Sequence, residues 1–150
     1  MPKNNFQNSA ERGNIELLQH TNNLGWNTTL ATDEFSVYDA LITTPNRQYL
    51  AETKHREKVY NEMIMEDKKM HSIIRESKKI KEETGEEYGV LYINTFNDGT
   101  ALVWNINKEL MSSCESKIMQ CPLTTSGYQK RVDKLVWLLP TEAAYKVEKS

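Results

Sequence analysis

The sequence predicts an α/β domain: a mixed central β-sheet flanked by helices, in the order α-β-β-β-α-β-β, followed by mixed elements. Three observations carry this. Hairpin patterns surround Pro45-Asn46 and Asn97-Asp98-Gly99, each a turn signal between β-like runs. A long charged segment with apolar residues at helical spacing separates them. A shorter helical segment precedes both, and such interleaving implies a layered sheet.

Taken in order, residues 1–8 are polar and read as a flexible N-terminus, and residues 9–150 as one domain, with a core over 9–106 and a C-terminal elaboration over 107–150. The first helix runs from Ser9, with Ile15, Leu17, Leu18 and Leu24 on its apolar side and Leu24-Gly25 as its stop. Trp26 to Ala31 forms a short strand. Phe35–Thr43 and Gln48–Lys54 are the next two. A symmetric hairpin about Pro45-Asn46 sets Thr43 opposite Gln48 and Asp39 opposite Glu52. Residues 57–83 read as a long helix, striped by Val59, Met63, Met70, Ile73, Ile74 and Ile80 and closed by Thr84-Gly85. Tyr88–Phe96 and Thr100–Ile106 follow as a hairpin. Beyond them, 107–118 reads as helical, Leu135–Leu139 as a buried strand, and Thr141 onward as a short terminal helix.

Composition narrows the function. The 150 residues carry 19 Lys+Arg against 21 Asp+Glu, a net charge of −2, evenly spread over both halves, so no general basic coat for nucleic acid exists. No apolar run approaches the roughly 20 residues of a membrane span, and the first residues have no secretory h-region. Cys114 and Cys121 read as free thiols of a cytoplasmic protein rather than a disulfide framework or a zinc site. No organic-cofactor motif stands out. Function must come from a local constellation.

Asp39 is the place to look. It lies between Val37-Tyr38 and Ala40-Leu41-Ile42, where a structural strand prefers an apolar or β-branched residue. A buried aspartate needs a partner. Lys54 can supply it as a plain ion pair. Alternatively, the register sets Asp39 and Glu52 side by side, an arrangement of like charges that a cation must relieve. Mg²⁺ suits such a pair, because it binds one or two carboxylates and keeps places for water and phosphate.

Asp39, twelve intervening residues, then Glu52-Thr53-Lys54 resembles the D…(D/E)-x-K signature of the PD-(D/E)XK nuclease superfamily. Gly13-Asn-Ile-Glu16, on a helix closing with Leu24-Gly25-Trp26, is similar to the Holliday-junction-resolvase-like branch with an extra glutamate on the first helix. Glu11 on the same helix competes with Glu16 for that role. Val37-Tyr38-Asp39 lacks the signature's proline. The likeness covers about residues 9–106 and implies a restriction-endonuclease-like core.

The resemblance further implies a Mg²⁺-dependent deoxyribonuclease, with Mn²⁺ as a substitute, hydrolysing DNA phosphodiester bonds, branched or recombination and repair intermediates among them. Asp39, Glu52, the Thr53 backbone carbonyl and Glu16 would hold metal, and Lys54 would position water and stabilise transition-state charge. His55, Arg56, Lys58, Lys68 and Lys69 would meet nucleic acid; solvated basic residues and helical ion pairs explain them as well. Resolvases of this fold act as dimers, which admits a homodimer here. The Asn- and Lys-rich composition suits a bacterial or phage protein, placed in the bacterial cytoplasm or an infected host cell. The alternatives are a nuclease-fold protein that binds nucleic acid or a protein without cutting, and an unrelated interaction module.

Overall fold

The computed structural model describes residues 17, 19–31, 36–122 and 131–148. Residue 17 and residues 19–23 are helical (α1). The strands and helices that follow are β1 (Asn27–Leu30), β2 (Ala40–Thr43), β3 (Gln48–Arg56), β4 (Glu62–Glu66), α2 (Asp67–Thr84), β5 (Tyr88–Phe96), β6 (Ala101–Asn105), α3 (Lys108–Ser112), β7 (Glu115–Pro122), β8 (Arg131–Pro140) and β9 (Tyr145–Val147). The six-stranded main sheet has the order β1-β2-β3-β5-β6-β9, and a three-stranded sheet the order β4-β8-β7. β3 and β5 run parallel; the other pairs are antiparallel. The mixed sheet and the restriction-endonuclease-like arrangement expected from the sequence are therefore present. The 1–8 segment lies outside the described residues.

Turn chemistry sets the β2–β3 register. Thr44 N–H donates to the Arg47 carbonyl at 2.9 Å, and the Thr44 hydroxyl accepts from the Asn46 and Arg47 N–H groups. Thr43 accordingly pairs with Gln48 and Ala40 with Ala51, the predicted register. Alternation of side chains then divides the core. Leu50, Val90, Tyr92 and Trp104 pack against Met70 and Ile73 of α2 and Met63 and Met65 of β4. Ala40, Ile42, Ala51, Leu91, Ile93 and Val103 pack on the other face with Leu17 of α1 and with Val147. Both faces of β5 are covered, as a central strand requires.

Three expectations need correction. The long helix begins at Asp67, not at residue 57. Met63 and Met65 are buried while Glu62, Ile64 and Glu66 are not, a period of two that pairs this segment with β8, and Val59 is 49% exposed in the preceding loop. Helical residues in the 107–118 segment start after Asn107, which caps the helix by accepting the Leu110 N–H at 2.8 Å, and stop at Ser112; Glu115 onward is β7. The terminal helix is one 3₁₀ turn at Thr141–Ala143, after which β9 buries Val147 beside Ala101 on the main sheet. The predicted end of α2 holds: Gly85 adopts φ +78° and returns its N–H to the Lys81 carbonyl. Among the described residues, no helix is long and apolar enough to cross a membrane.

Candidate active site

The strand expected to begin at Phe35 begins at Ala40, and Asp39 is the first residue beyond its ladder. Its N–H donates to the Ala51 carbonyl at 2.8 Å, one residue out of step with the Ala40–Ala51 pairing. Its carboxylate turns onto β3 instead. Oδ2 accepts the Thr53 N–H at 2.8 Å and the Thr53 hydroxyl at 3.2 Å. Two hydrogen bonds thus fix the carboxylate at the place where β2 leaves β3 bare.

Glu52 and Lys54 point to the α2 face of the sheet, as alternation demands. Glu52 has a side chain only 12% exposed, with its Oε1 3.5 Å from Lys69 Nζ. Burial, then the negative charge of Asp39, pushes its pKa up to about 7 against the pull of Lys69 and Lys54. Burial, then the charges of Lys69 and Arg56, brings the Lys54 ammonium down to about 8. Burial also works against the Lys69 ammonium, but Glu52, Glu66 and Asp39 outweigh it and hold its pKa above the ordinary lysine value. Opposed shifts in neighbouring groups, from shared burial and mutual charge, are characteristic of sites that do chemistry.

The walls come from distant elements. Asp39, Glu52, Glu66, Lys68, Lys69 and Lys134 line an open cleft of about 770 Å³. Glu66 pairs with Lys134 of β8 at 3.0 Å, and Asp67 accepts the Trp137 indole N–H at 2.8 Å. A smaller cavity of about 230 Å³ continues from this cleft over Lys54, Arg56 and Tyr92.

The expected nucleic-acid residues divide. Lys68 and Lys69 stand in the first turn of α2 on the cleft. Arg56 straps β3 to β4, donating to the Ile64 carbonyl at 3.0 Å and the Tyr92 hydroxyl at 3.2 Å. His55 faces the opposite side of the sheet, its ring nitrogens 2.9 Å from Thr95 Oγ1 and 2.8 Å from Asn97 Oδ1. Lys58 is exposed in the loop after β3. Glu16 and Glu11 lie outside the described residues.

Sequence reasoning passed over Glu66 and Lys134, which reach the cleft only through long-range pairing. It also passed over Asn94, the register neighbour of Lys54 on β5. Asn94 is 0% exposed, and neither of its amide atoms has a hydrogen-bond partner among the described residues. The signal was available, since a polar residue inside an apolar strand is the oddity that singled out Asp39.

The donor set suits a divalent cation. Five carboxylates, Asp39, Glu52, Glu66, Asp67 and Asp133, line the cleft against three lysines, and burial and the charge of Asp39 raise the pKa of Glu52, so the site is short of positive charge. Among the described residues no cluster of three or more His, Cys, Asp or Glu forms a ready-made metal site; the donors there are the Asp39–Glu52 pair.

No family model matches the chain, and no curated protein sequence matches it. Among solved structures it is similar to Hjc, a Holliday junction resolvase from the archaeal hyperthermophile Archaeoglobus fulgidus, with a TM-score of 0.51 at 8% identity, over 87% of this chain and 93% of that one. At that identity the likeness is one of fold.

Proposed function

We propose that this chain is a metal-dependent deoxyribonuclease of the PD-(D/E)XK type, hydrolysing phosphodiester bonds of DNA, with branched DNA the favoured substrate class. The observation that carries the reading is Glu52, which lines one cleft with Asp39 and the adjoining cavity with Lys54, in a chain whose fold is similar to that of a Holliday junction resolvase. Asp39 and Glu52, with the Thr53 backbone carbonyl and Glu16, would hold Mg²⁺ or Mn²⁺. Such an ion, when bound, supplies a Lewis acid and a water of lowered pKa. Lys54 brings a fixed positive charge to the scissile phosphate, where a preorganised charge is worth most. The Thr53 hydroxyl and N–H orient the Asp39 carboxylate. Lys68, Lys69 and Lys134 offer phosphate contacts at the rim of the cleft. The protein would act in the cytoplasm, and a dimer would suit a substrate with two equivalent strands.

The Lys69–Glu52 ion pair favours a second reading. An ammonium already beside Glu52 can stand where a cation is needed, in a protein that binds nucleic acid without cutting. One experiment separates the two. Labelled duplex, single-stranded and four-way-junction DNA are incubated with wild type and Glu52→Ala in Mg²⁺, Mn²⁺ or EDTA. The nuclease reading expects cleavage by wild type with metal only, and none by Glu52→Ala. Absence of any cleavage in Mn²⁺ selects the binding protein.

A further inference from the structure

A second cleft, about 820 Å³ in volume, opens beyond the end of β3, and Arg56 and Ile64 line both it and the cavity over Lys54. The Lys54 cavity in turn shares Glu52, Glu66 and Lys69 with the main cleft. The three spaces therefore adjoin through shared wall residues, with Lys54 in the middle one. We propose that the second cleft takes an unpaired single strand of DNA leading away from the site, with Tyr60 as the surface on which a base stacks; this rests on the nuclease reading above.

Four features support that occupant. Tyr60 is 59% exposed on the cleft wall, so a large amphipathic ring is open to a ligand there. The Lys58 ammonium lies over one face of that ring, 5.8 Å from its centre, a cation–π contact that would hold a positive charge near the phosphate of a base stacked on the other face. Lys117 of β7 supplies a second cation across the cleft, and Met63, Met119 and Leu138 an apolar floor. Between the two cavities, Arg56 uses one nitrogen on Ile64 and Tyr92, while its Nε is buried with no partner among the described residues. An aromatic face flanked by cations is what single-stranded nucleic acid needs, each stacked base contributing roughly 1–3 kcal/mol.

The other occupants fit less well. Bases in a duplex are stacked on each other and offer Tyr60 no face. An acidic peptide would leave the ring unused; Glu57 and Glu62, which also line this cleft, oppose any polyanion. Those two carboxylates against Arg56, Lys58 and Lys117 leave little net charge, so stacking must carry much of the binding.

The test uses full-length protein carrying Lys54→Ala, so that DNA stays intact in Mg²⁺, and measures binding of a fluorescent blunt duplex and of the same duplex with a ten-nucleotide unpaired tail. The tail should tighten binding. Adding Tyr60→Ala should weaken tailed-duplex binding about tenfold and change blunt-duplex binding less than twofold. Tyr60→Phe should restore it, since the ring is kept. The substitution spares the backbone carbonyl of Tyr60 that accepts from Thr141, and circular dichroism checks the fold. Equal binding of the two probes overturns the proposal, as does a Tyr60→Ala loss shared by both, or displacement of the tailed probe by polyglutamate but not by oligo-dT. If wild type cuts DNA while Tyr60→Ala is neutral, only the strand path falls. If the tail binds through Tyr60 but no DNA is ever cut, the path stands and the nuclease reading falls.

Discussion

Asp39 Oδ2 accepts the backbone N–H of Thr53 at 2.8 Å, so a side chain at the end of one strand satisfies the main chain of the next. One carboxylate thereby serves the sheet and the site together. The two duties can be separated. Asp39→Asn keeps an oxygen acceptor for Thr53 and should retain stability to within about 1 kcal/mol, whereas Asp39→Ala should lose about 1–2 kcal/mol in urea unfolding. Both should abolish Mn²⁺ binding measured by calorimetry. Undiminished Mn²⁺ affinity in Asp39→Asn would remove Asp39 from the metal site.

In the proposed function Lys54 would contribute charge to the scissile phosphate and would not ligate metal. Lys54→Ala should bind Mn²⁺ nearly as wild type does while cleaving about 10²–10³-fold more slowly. Single-turnover cleavage beside metal titration reads both quantities, and unchanged cleavage would be fatal to the assignment.

Glu52 sets function against stability. Its carboxyl has a folded-state pKa of about 7, against an ordinary value of 4.5, so folding favours the protonated form. The stability that this contributes is complete below about pH 4.5 and is lost as pH rises through 7. In EDTA, Glu52→Gln should therefore be more stable than wild type at pH 8, by on the order of 1–3 kcal/mol, and melt higher, while the two should be nearly level at pH 5. Mg²⁺ should stabilise wild type more at pH 8 than at pH 5, because it meets the ionised carboxylate, and should leave Glu52→Gln unmoved. A melting difference that does not vary with pH would contradict the buried, raised carboxyl.

Asn94 holds two polar atoms at full burial without partners among the described residues. A buried unsatisfied amide costs about 1–3 kcal/mol, so Asn94→Leu should stabilise the protein by about 1–2 kcal/mol in denaturant unfolding. A loss of similar size would mean that the amide is satisfied, for instance by buried water.

How much of this could be read from the chain depended on the range of the interactions. The β2–β3 register follows from four residues, Thr44 to Arg47, and so was legible, as was the end of α2 at Gly85. Asp39 stood out because a charge inside an apolar run demands a reason. The start of α2 was misread because Val59, Met63 and Met70 fit a helical stripe, while the competing alternation of Met63 and Met65 covers only one short strand. Arg56 looked free for phosphate, and Tyr60 went unremarked, because the neighbours that define their roles, Ile64, Tyr92 and Lys117, are brought in by tertiary pairing. Lys134 reaches Glu66 across 68 positions, a distance that no local pattern spans.

β8 is the centre of the small sheet, and β9 covers the outer edge of β6. Both come from residues 131–148, the last of the described chain to be made. A growing polypeptide can close the hairpin carrying Asp39, Glu52 and Lys54 early, since that turn is local. At that stage β4 has no partner strand, Glu66 has no Lys134, and water reaches the hairpin freely. The burial that drives the Glu52 and Lys54 shifts requires α2, β4 and the strands paired with them. The three motif residues are thus ordinary surface charges until translation has supplied the strands that enclose them.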